Sequence, residues 1–424
     1  MPSSLISTDP ARAGAADALA RPAAPGAALP PSPATRKRAR RAFIDLARGF
    51  AVVCMIEHHS FDAFMPDSFH GTPLDHFFRF MGGVAAPTFL FLAGVAMVMM
   101  MEGGLARGLT VRASALAAAK RGGWIFIGAY LFRFQEWALA GGVSPAWTML
   151  RIDVLNCIGL ALMLTALLWG AGAALDHVGE GARVRPVRAR ALLFLAACAL
   201  IVLTAPIIWE RDLSALPQLL FDYLRGVPPR ALFPIFPWIA YSFAGALLGL
   251  HLAKIRASPA RDPLIAERNA LALWLAIATP LWFVILYVDA LPFHVYAQLE
   301  WWRTSPAYFL LRCISMIWLL CAAWLIEQAW QPVRAKMHWV RPGPLVALGQ
   351  HSLVIYWVHI EIVYGRLTWP VRGTMSLLQA SSYLAVIFAT MIALAYVIDP
   401  ALDAAKALLR RAGARLRGPV VSSS

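Results

Sequence analysis

The chain has 424 residues, of which 60% are hydrophobic and 14% are charged. A soluble domain cannot bury that much apolar surface, so the composition excludes an ordinary soluble protein and indicates a polytopic membrane protein. The formal net charge of +15 does not indicate nucleic-acid binding here, because no basic surface module with interleaved aromatic residues is visible.

The beginning of the chain differs in composition from the rest. Residues 1–40 are rich in alanine and proline and lack an apolar segment. We predict a disordered cytoplasmic terminus rather than a signal peptide, with the cluster RKRARR (36–41) as a basic anchor at the membrane surface. The membrane domain is predicted over 41–400, and a basic cytoplasmic tail over 401–424.

Ten apolar stretches are long enough to cross a hydrocarbon core of about 30 Å, which takes roughly 20 helical residues. They lie near 42–65, 77–101, 117–140, 152–175, 190–209, 231–253, 269–290, 306–329, 345–365 and 378–399. None has the strict alternation of a barrel strand. The sequence therefore predicts an all-α integral membrane protein with about ten transmembrane helices.

Basic residues favour alternate connections between these stretches. They are frequent before residue 42, in 102–121, 176–190, 254–268 and 331–344, and after residue 400. The other connections hold only Arg151, Arg211, Arg225, Arg230, Arg303, Arg366 and Arg372. The positive-inside rule then predicts that both termini are cytoplasmic. With the Ala/Arg-rich composition, we expect the inner membrane of a bacterium.

The first predicted span, RAFIDLARGFAVVCMIEHHSFDAF (41–64), carries several ionisable residues. At about 100° per residue, one helical face holds Asp45, Arg48, His59 and Asp62. His58 is a quarter-turn away and is expected to face elsewhere, and Glu57 is nearly opposite Arg48. Such a stripe is expected to face a protein-lined or watery cavity rather than lipid. The alternatives are a structural ion pair between Asp45 and Arg48 and a structural role for His59.

Several kinds of site are not indicated. The sequence has no P-loop and no GxGxxG motif, so ATP-driven transport is not expected. The cysteines have no zinc-type spacing and all lie in predicted spans: Cys54, Cys157, Cys198, Cys313 and Cys321. We expect no metal, no disulfide and no permanently bound cofactor.

The first span resembles the opening helix of the heparan-alpha-glucosaminide N-acetyltransferase family. That helix has the signature R-x-x-x-[IL]-D-x-x-R-G, then apolar residues, then a polar His or Asn. Four further segments are similar to the family in the same order: APTFLFLAG (86–94), RIDVLNCIGLA (151–161), FPWIAYSFAGALLG (236–249) and LGQHSLVIYWVHIEI (348–362). Together the five segments cover most of 41–400.

The resemblance implies a membrane-embedded acyltransferase. Members of the family move an acyl group, typically acetyl, from a cytoplasmic acyl-CoA to a sugar hydroxyl or amine on the other side of the membrane. The expected partners are therefore acyl-CoA as donor substrate, a sugar or glycan acceptor and the lipid bilayer, with no nucleic acid; self-association into a homo-oligomer is left open.

The resemblance also implies a histidine base on the non-cytoplasmic side. Family members of the human type have Asn at the position of His59, and their catalytic histidine lies in the first outer loop, within H-x-x-W-N-G. Here that loop, FMPDSFHGTPLDHFF, offers His70 and His76 but no Trp-Asn. The base stays open between His59 and His70, with Asp62 or Asp75 as the group that orients it.

Three residues are candidates for donor binding: Asp45, Arg48 and Arg121. A guanidinium stays charged even when buried, so Arg48 suits the phosphates or the carbonyl of the donor. The long pantetheine arm is expected to follow the polar stripe from Arg48 towards His59.

Candidates for acceptor binding or for lining the cavity are Arg151, Asp153, Asn156, Trp238 and His359. Asp153 and Asn156 are one helical turn apart and either bind acceptor hydroxyls or hold helices together. Asn156 stands where the family more often has Gln. His359 either makes an interhelical hydrogen bond or lines the cavity.

The alternative function is a transporter or channel for a small polar solute. It would use the polar stripe as its permeation path, and it predicts an internal repeat. No convincing similarity between the two halves of the chain is visible.

Overall fold

The computed structural model describes residues 42–176, 187–257, 262–292, 295–296, 300–337 and 341–416. In these ranges the α-helices are α1 Ala42–Phe64, α2 Pro73–Ala106, α3 Val111–Leu139, α4 Val154–Leu175, α5 Arg188–Glu210, α6 Gln218–Arg225, α7 Ile235–Ala257, α8 Pro263–Asp289, α9 Trp301–Thr304, α10 Pro306–Lys336, α11 Pro344–Gln350, α12 Ser352–Tyr364 and α13 Leu377–Leu416. The predicted all-α class is confirmed. The predicted disorder of 1–40 and the last part of the predicted tail, 417–424, lie outside the described residues.

Judged by length and composition, fewer helices qualify as membrane spans than the sequence predicted. Within the described ranges seven helices are long and apolar enough to cross a membrane, and the bent pair α11–α12 makes an eighth candidate. The other two predicted stretches are also helical, as α1 and α3, but charged side chains such as Glu57 and Arg133 lower their hydropathy. Ten spans are therefore not confirmed, although a helix covers every predicted stretch.

Helices α2 and α7 pack against each other through glycines. A Cβ on Gly245 would lie 1.9 Å from the carbonyl oxygen of Phe91, and one on Gly94 would lie 2.0 Å from that of Ser242. Only a residue without a side chain allows two helix backbones to approach so closely. The G-x-x-x-G spacing of Gly245 and Gly249 thus marks close helix packing.

Helices α11 and α12 are bent by 91° at His351, the geometry of a broken span or of a re-entrant loop. The short helix α11 packs across the first two turns of α1. A Cβ on Gly49 would lie 1.8 Å from the carbonyl oxygen of Leu345, and one on Gly349 would lie 1.8 Å from that of Asp45. The two backbones touch there, so α11 covers this part of α1.

The two ends of the bundle differ. One end, called the loop end here, collects the connections 65–72, 140–153, 211–234 and 365–376 and the described parts 290–292 and 300–305 of a fifth connection. These connections contact other parts of this end: Gly373 N–H donates to Ala63 O at 3.1 Å, and Ile152 N–H donates to Arg230 O at 2.9 Å. The opposite end, called the terminal end, holds the beginning of α1 and the end of α13.

Helices α5, α8 and α13 form the perimeter. The buried share of their apolar segments is 28%, 17% and 22%, compared with 67% for α7. Their exposed apolar side chains suit contact with lipid rather than with water. The chain is therefore a multi-pass membrane protein whose polar residues collect among the inner helices.

Candidate functional site

A cavity of about 760 Å³, called the main cavity here, lies at the loop end among α1, α2, α3, α4, α7 and α12. It brings together many of the polar residues predicted for the site. Its ionisable and aromatic lining residues include His58, His59, Asp62, Arg79, Arg133, Glu136, Arg151, Asp153, Trp238, Arg303, Tyr356, Tyr364 and Arg372.

Two histidines from different helices face each other at this cavity. Nδ1 of His59 is 2.9 Å from Nε2 of His359, and the rings are parallel to within 2°. His59 lines the cavity, whereas His359 is completely buried behind it. The predicted interhelical hydrogen bond of His359 is therefore present, and its partner is one of the two candidate bases.

A backbone carbonyl fixes the protons of this pair. Nδ1 of His359 is 2.9 Å from the carbonyl oxygen of Ile355, which can only accept, so Nδ1 carries the proton. In a neutral ring Nε2 of His359 is then an acceptor, and Nδ1 of His59 must donate to it. Nε2 of His59 is left with its lone pair, which is the form that a general base requires.

Asp62 has a different partner from the one expected. Its carboxylate accepts a hydrogen bond from the hydroxyl of Tyr364 at 2.9 Å. The Tyr364 ring in turn lies edge-on to His59, with ring centroids 5.6 Å apart. His359, rather than Asp62, orients His59, and Asp62 orients the neighbouring tyrosine.

His58 also lines the main cavity, although the helical wheel predicted that it faces elsewhere. Its ring is 5.8 Å from that of His59 between centroids. A Cβ on Gly82 would lie 2.3 Å from the His58 ring, so glycine at this position makes room for it. A quarter-turn offset is too small to exclude a side chain from so wide a cavity.

His70 lies in the connection between α1 and α2 and contacts Arg79 and Asp75. Its Nδ1 is 3.0 Å from Nη2 of Arg79 and 3.6 Å from the carboxylate of Asp75. Because a guanidinium only donates, Nδ1 of neutral His70 accepts this bond and its lone pair is occupied. Of the two candidate bases, His59 is therefore the one with an available nitrogen.

A buried ion cluster holds α3, α4 and α12 together beside the histidines. The carboxylate of Asp153 accepts from the Arg133 guanidinium and, at 2.8 Å, from the hydroxyl of Tyr356. Arg133 also pairs with Glu136, one helical turn further along α3. Asn156 is buried and forms a capping box with Asp153 at the first turn of α4. These contacts favour the structural alternative for Asp153 and Asn156.

The proposed donor residues do not share the main cavity. Arg48 donates to Asp45 at 3.1 Å and to the carbonyl of Gly349 at 3.4 Å, at the terminal end. The cavity wall on α1 begins only at Met55. Arg121 is exposed on α3 and does not join the Asp45–Arg48 pair. The polar stripe of α1 was predicted to face one cavity along its whole length. Instead it is divided, because α11 covers the half that holds Asp45 and Arg48.

A second chamber of about 570 Å³ adjoins the main cavity and shares Arg79, Gly83, Trp238 and Arg303 with it. It also reaches Arg312 on α10, which lies within an apolar stretch of the sequence. A charged residue in an apolar segment is the signal that points to it. Among the described residues no group of three or more His, Cys, Asp or Glu side chains is arranged to hold a metal ion.

Comparison with known proteins supports the resemblance. Residues 40–179 match the family model described as "Heparan-alpha-glucosaminide N-acetyltransferase, catalytic", which covers α1 to α4 and both candidate bases. No curated protein matches the sequence. The match indicates acyltransferase activity in general. Over residues 40–179 the chain is similar to the catalytic domain of heparan-alpha-glucosaminide N-acetyltransferase.

Proposed function

We propose that this protein is a transmembrane acyltransferase. It moves an acetyl or other short acyl group from a cytoplasmic acyl-CoA to a sugar hydroxyl or amine on the extracytoplasmic side. The observation that carries the proposal is Nε2 of His59, whose lone pair is left available by the hydrogen bonds from His59 to His359 and from His359 to Ile355 O. The family match over residues 40–179 gives the reaction class.

In the proposed step, Nε2 of His59 takes the proton of the acceptor hydroxyl or amine. The acceptor oxygen or nitrogen forms a bond to the acyl carbon, and the resulting oxyanion collapses. The carbon–sulfur bond breaks, and the thiolate of CoA receives the proton from His59. The products are the acylated acceptor and CoA, and His59 is neutral again.

The charges of the main cavity support such a step. Three guanidinium groups line it near the histidines: Arg79, Arg151 and Arg372. Nε of Arg151 and Nε of Arg372 are buried, and neither has a hydrogen-bond partner among the residues that the structure describes. Positive groups held in place before the reaction stabilise a developing oxyanion, because they need not reorganise when the charge appears.

The route of the donor requires movement. A thioester arriving from the terminal end along Arg48 meets the contact between Gly49 and Leu345. We propose that α11 swings away from α1 at the break at His351 to admit the pantetheine arm. Direct transfer is the simplest scheme, and an acyl-histidine intermediate on Nε2 of His59 is the alternative.

The direct test is transfer by the purified protein. With acetyl-CoA and a panel of amino and hydroxy sugars, the wild type should release CoA and acylate at least one acceptor. His59→Ala should lower the rate about a hundredfold or more while acetyl-CoA binding is kept. His251→Ala, a change of the same type on α7 outside the lining of both cavities, should keep the activity. A His59→Ala variant with most of its activity would refute the base assignment.

One observation favours the alternative of a transporter. The 91° break between α11 and α12 is of the kind that transporters use to form a binding site inside the membrane. Proteoliposomes distinguish the two functions. Uptake of a small solute without turnover of any acyl-CoA in the panel would replace the acyltransferase proposal.

A further inference from the structure

The guanidinium of Arg312 is buried, and no carboxylate in the described ranges pairs with it. Arg312 is 3% exposed. In the described part of the chain its Nε donates to the hydroxyl of Tyr308 at 2.7 Å, and the rings of Tyr308 and Phe80 lie 4.9 Å from its Cζ. These neutral groups do not compensate the charge. A buried cation without an anion is costly, so such a group is expected to bind an anionic partner.

The surroundings of Arg312 are those of a binding chamber. Arg312 lines the second chamber, whose wall includes His76, Arg79 and Arg303 but no carboxylate. Asp75 pairs with Arg79 and Glu300 with Arg303, but neither acid belongs to the wall. Among the described residues Arg312 is thus the guanidinium of this wall that has no carboxylate beside it, and its charge favours an anion over a neutral ligand.

The chamber is joined to the reaction site through Gly83. A Cβ at Gly83 would lie 3.0 Å from Nη2 of Arg312, so glycine leaves space for the guanidinium beside both cavities. Trp238 lines both cavities, and Tyr241 and Trp302 line the second chamber. Aromatic faces next to a cation suit a ligand with a flat or apolar part beside its charged group.

We propose that the second chamber is an anion-binding subsite, in which Arg312 binds a phosphate or carboxylate group of one of the two substrates. This inference rests on the proposed function, since it assigns the anion to a substrate of the His59 site. The shared chemistry is an oxyanion that accepts charge-assisted hydrogen bonds from a guanidinium. Its source is an acidic group on the acceptor if the donor enters along α11 as proposed; donor phosphates would occupy this chamber only if the donor enters from the loop end instead.

The test measures binding rather than turnover, so it is independent of the assignment of His59. Pyrophosphate is titrated into the purified full-length protein at constant ionic strength, and the unfolding midpoint is recorded. The midpoint of the wild type should rise in a saturable manner. In Arg312→Gln the half-saturating concentration should increase about tenfold or more, because a charge-assisted bond is lost. Arg268→Gln, on the exposed face of α8, should behave as the wild type.

In the absence of ligand, a structural role and an anion-binding role of Arg312 predict opposite changes in the unfolding midpoint of Arg312→Gln. If Arg312 only holds Tyr308, Arg312→Gln should lower the unfolding midpoint. If Arg312 is an anion site, the midpoint should be unchanged or higher, because an uncompensated buried charge has been removed. Arg312→Lys keeps the charge but not the paired donors, and it should weaken pyrophosphate binding less than Gln does. It also provides the test if Arg312→Gln does not fold.

Competition identifies the source of the anion. Displacement of pyrophosphate by coenzyme A assigns the chamber to the donor, and displacement by glucuronic acid assigns it to an acidic acceptor. No saturable shift, an equal shift in wild type and Arg312→Gln, or displacement by neither compound would overturn the proposal. Loss of transfer in His59→Ala leaves these results unaffected, so the two proposals fail separately.

Discussion

The imidazole rings of His59 and His359 lie parallel to within 2°, and Nδ1 of His59 is 2.9 Å from Nε2 of His359. The pair joins α1 to α12, and its two residues are 300 positions apart in the chain. Because the carbonyl of Ile355 holds the proton on Nδ1 of His359, the orientation and the tautomer of His59 are set by a residue outside the matched segment 40–179.

His359→Ala should lower kcat for acyl transfer about tenfold or more, with little change in KM for the donor. The alanine variant leaves Nδ1 of His59 without its acceptor, so the ring can rotate and change tautomer. His359→Gln, whose side-chain oxygen can accept the same bond, should keep more activity. Steady-state kinetics of the two variants checks this, and equal activities would argue against a tautomer effect.

His70→Ala should reduce transfer less than His59→Ala does. Nδ1 of His70 is occupied by Arg79 at 3.0 Å, so His70 helps to hold that arginine at the cavity rather than accepting a substrate proton. Arg79 keeps its bond to Asp75 at 2.8 Å, which limits the damage. Initial rates of acyl transfer by His59→Ala and His70→Ala test this order. The reverse order of activities would make the loop histidine the base.

Arg133→Met should destabilise the protein by about 3–5 kcal/mol, because it leaves the carboxylate of Asp153 buried without its cation. Adding Asp153→Asn to this variant should restore part of the loss. Thermal unfolding in detergent measures both effects, with the exposed Arg268→Met as the matched control. If the single variant unfolds like the wild type, the buried cluster does not hold α3 and α4 together.

Gly245→Ala should destabilise the packing of α7 on α2 by about 1–3 kcal/mol or more. Its Cβ would meet the carbonyl oxygen of Phe91 at 1.9 Å, and a backbone atom cannot move aside without shifting the helix. Gly128→Ala is the control, since its Cβ has no atom within 4 Å. The unfolding midpoints of the two variants should differ clearly, and equal midpoints would contradict the close contact.

Reporter fusions should place the loop end outside the cytoplasm. Fusions after residues 70, 145 and 220 all lie in connections at this end. Most basic residues lie in the connections at the opposite end. The positive-inside rule therefore predicts that the loop end is translocated. A cytoplasmic signal from any of the three fusions would break the proposed topology and the proposed side of the acceptor.

The helices could be predicted from the sequence better than the contacts between them. Length and hydropathy located a helix at every predicted stretch, and the spacing of Gly245 and Gly249 indicated close packing. Hydropathy does not report bends, so the break at His351 was not predicted. The same break brings α11 over the first turns of α1, and for that reason Asp45 and Arg48 do not share a cavity with His59.

The site was predicted in part. The helical period brought His59 and Asp62 to one face, and both line the main cavity. Periodicity within one helix cannot say which residue of another helix faces it, so the partners of these side chains, His359 and Tyr364, were not predicted. The importance of Arg312 could not be read from the sequence either, because it depends on the absence of a nearby carboxylate in the described fold.

The hydrogen-bond chain that begins at His59 ends at a group that cannot pass on a proton. A proton taken at Nε2 of His59 can pass through Nδ1 to His359, but the next atom is the carbonyl oxygen of Ile355, which has no proton to hand on. A proton taken from the acceptor must therefore leave from Nε2 of His59, the nitrogen that received it. The pair can therefore exchange a proton with a substrate at Nε2 of His59 without conducting protons from one end of the helix bundle to the other.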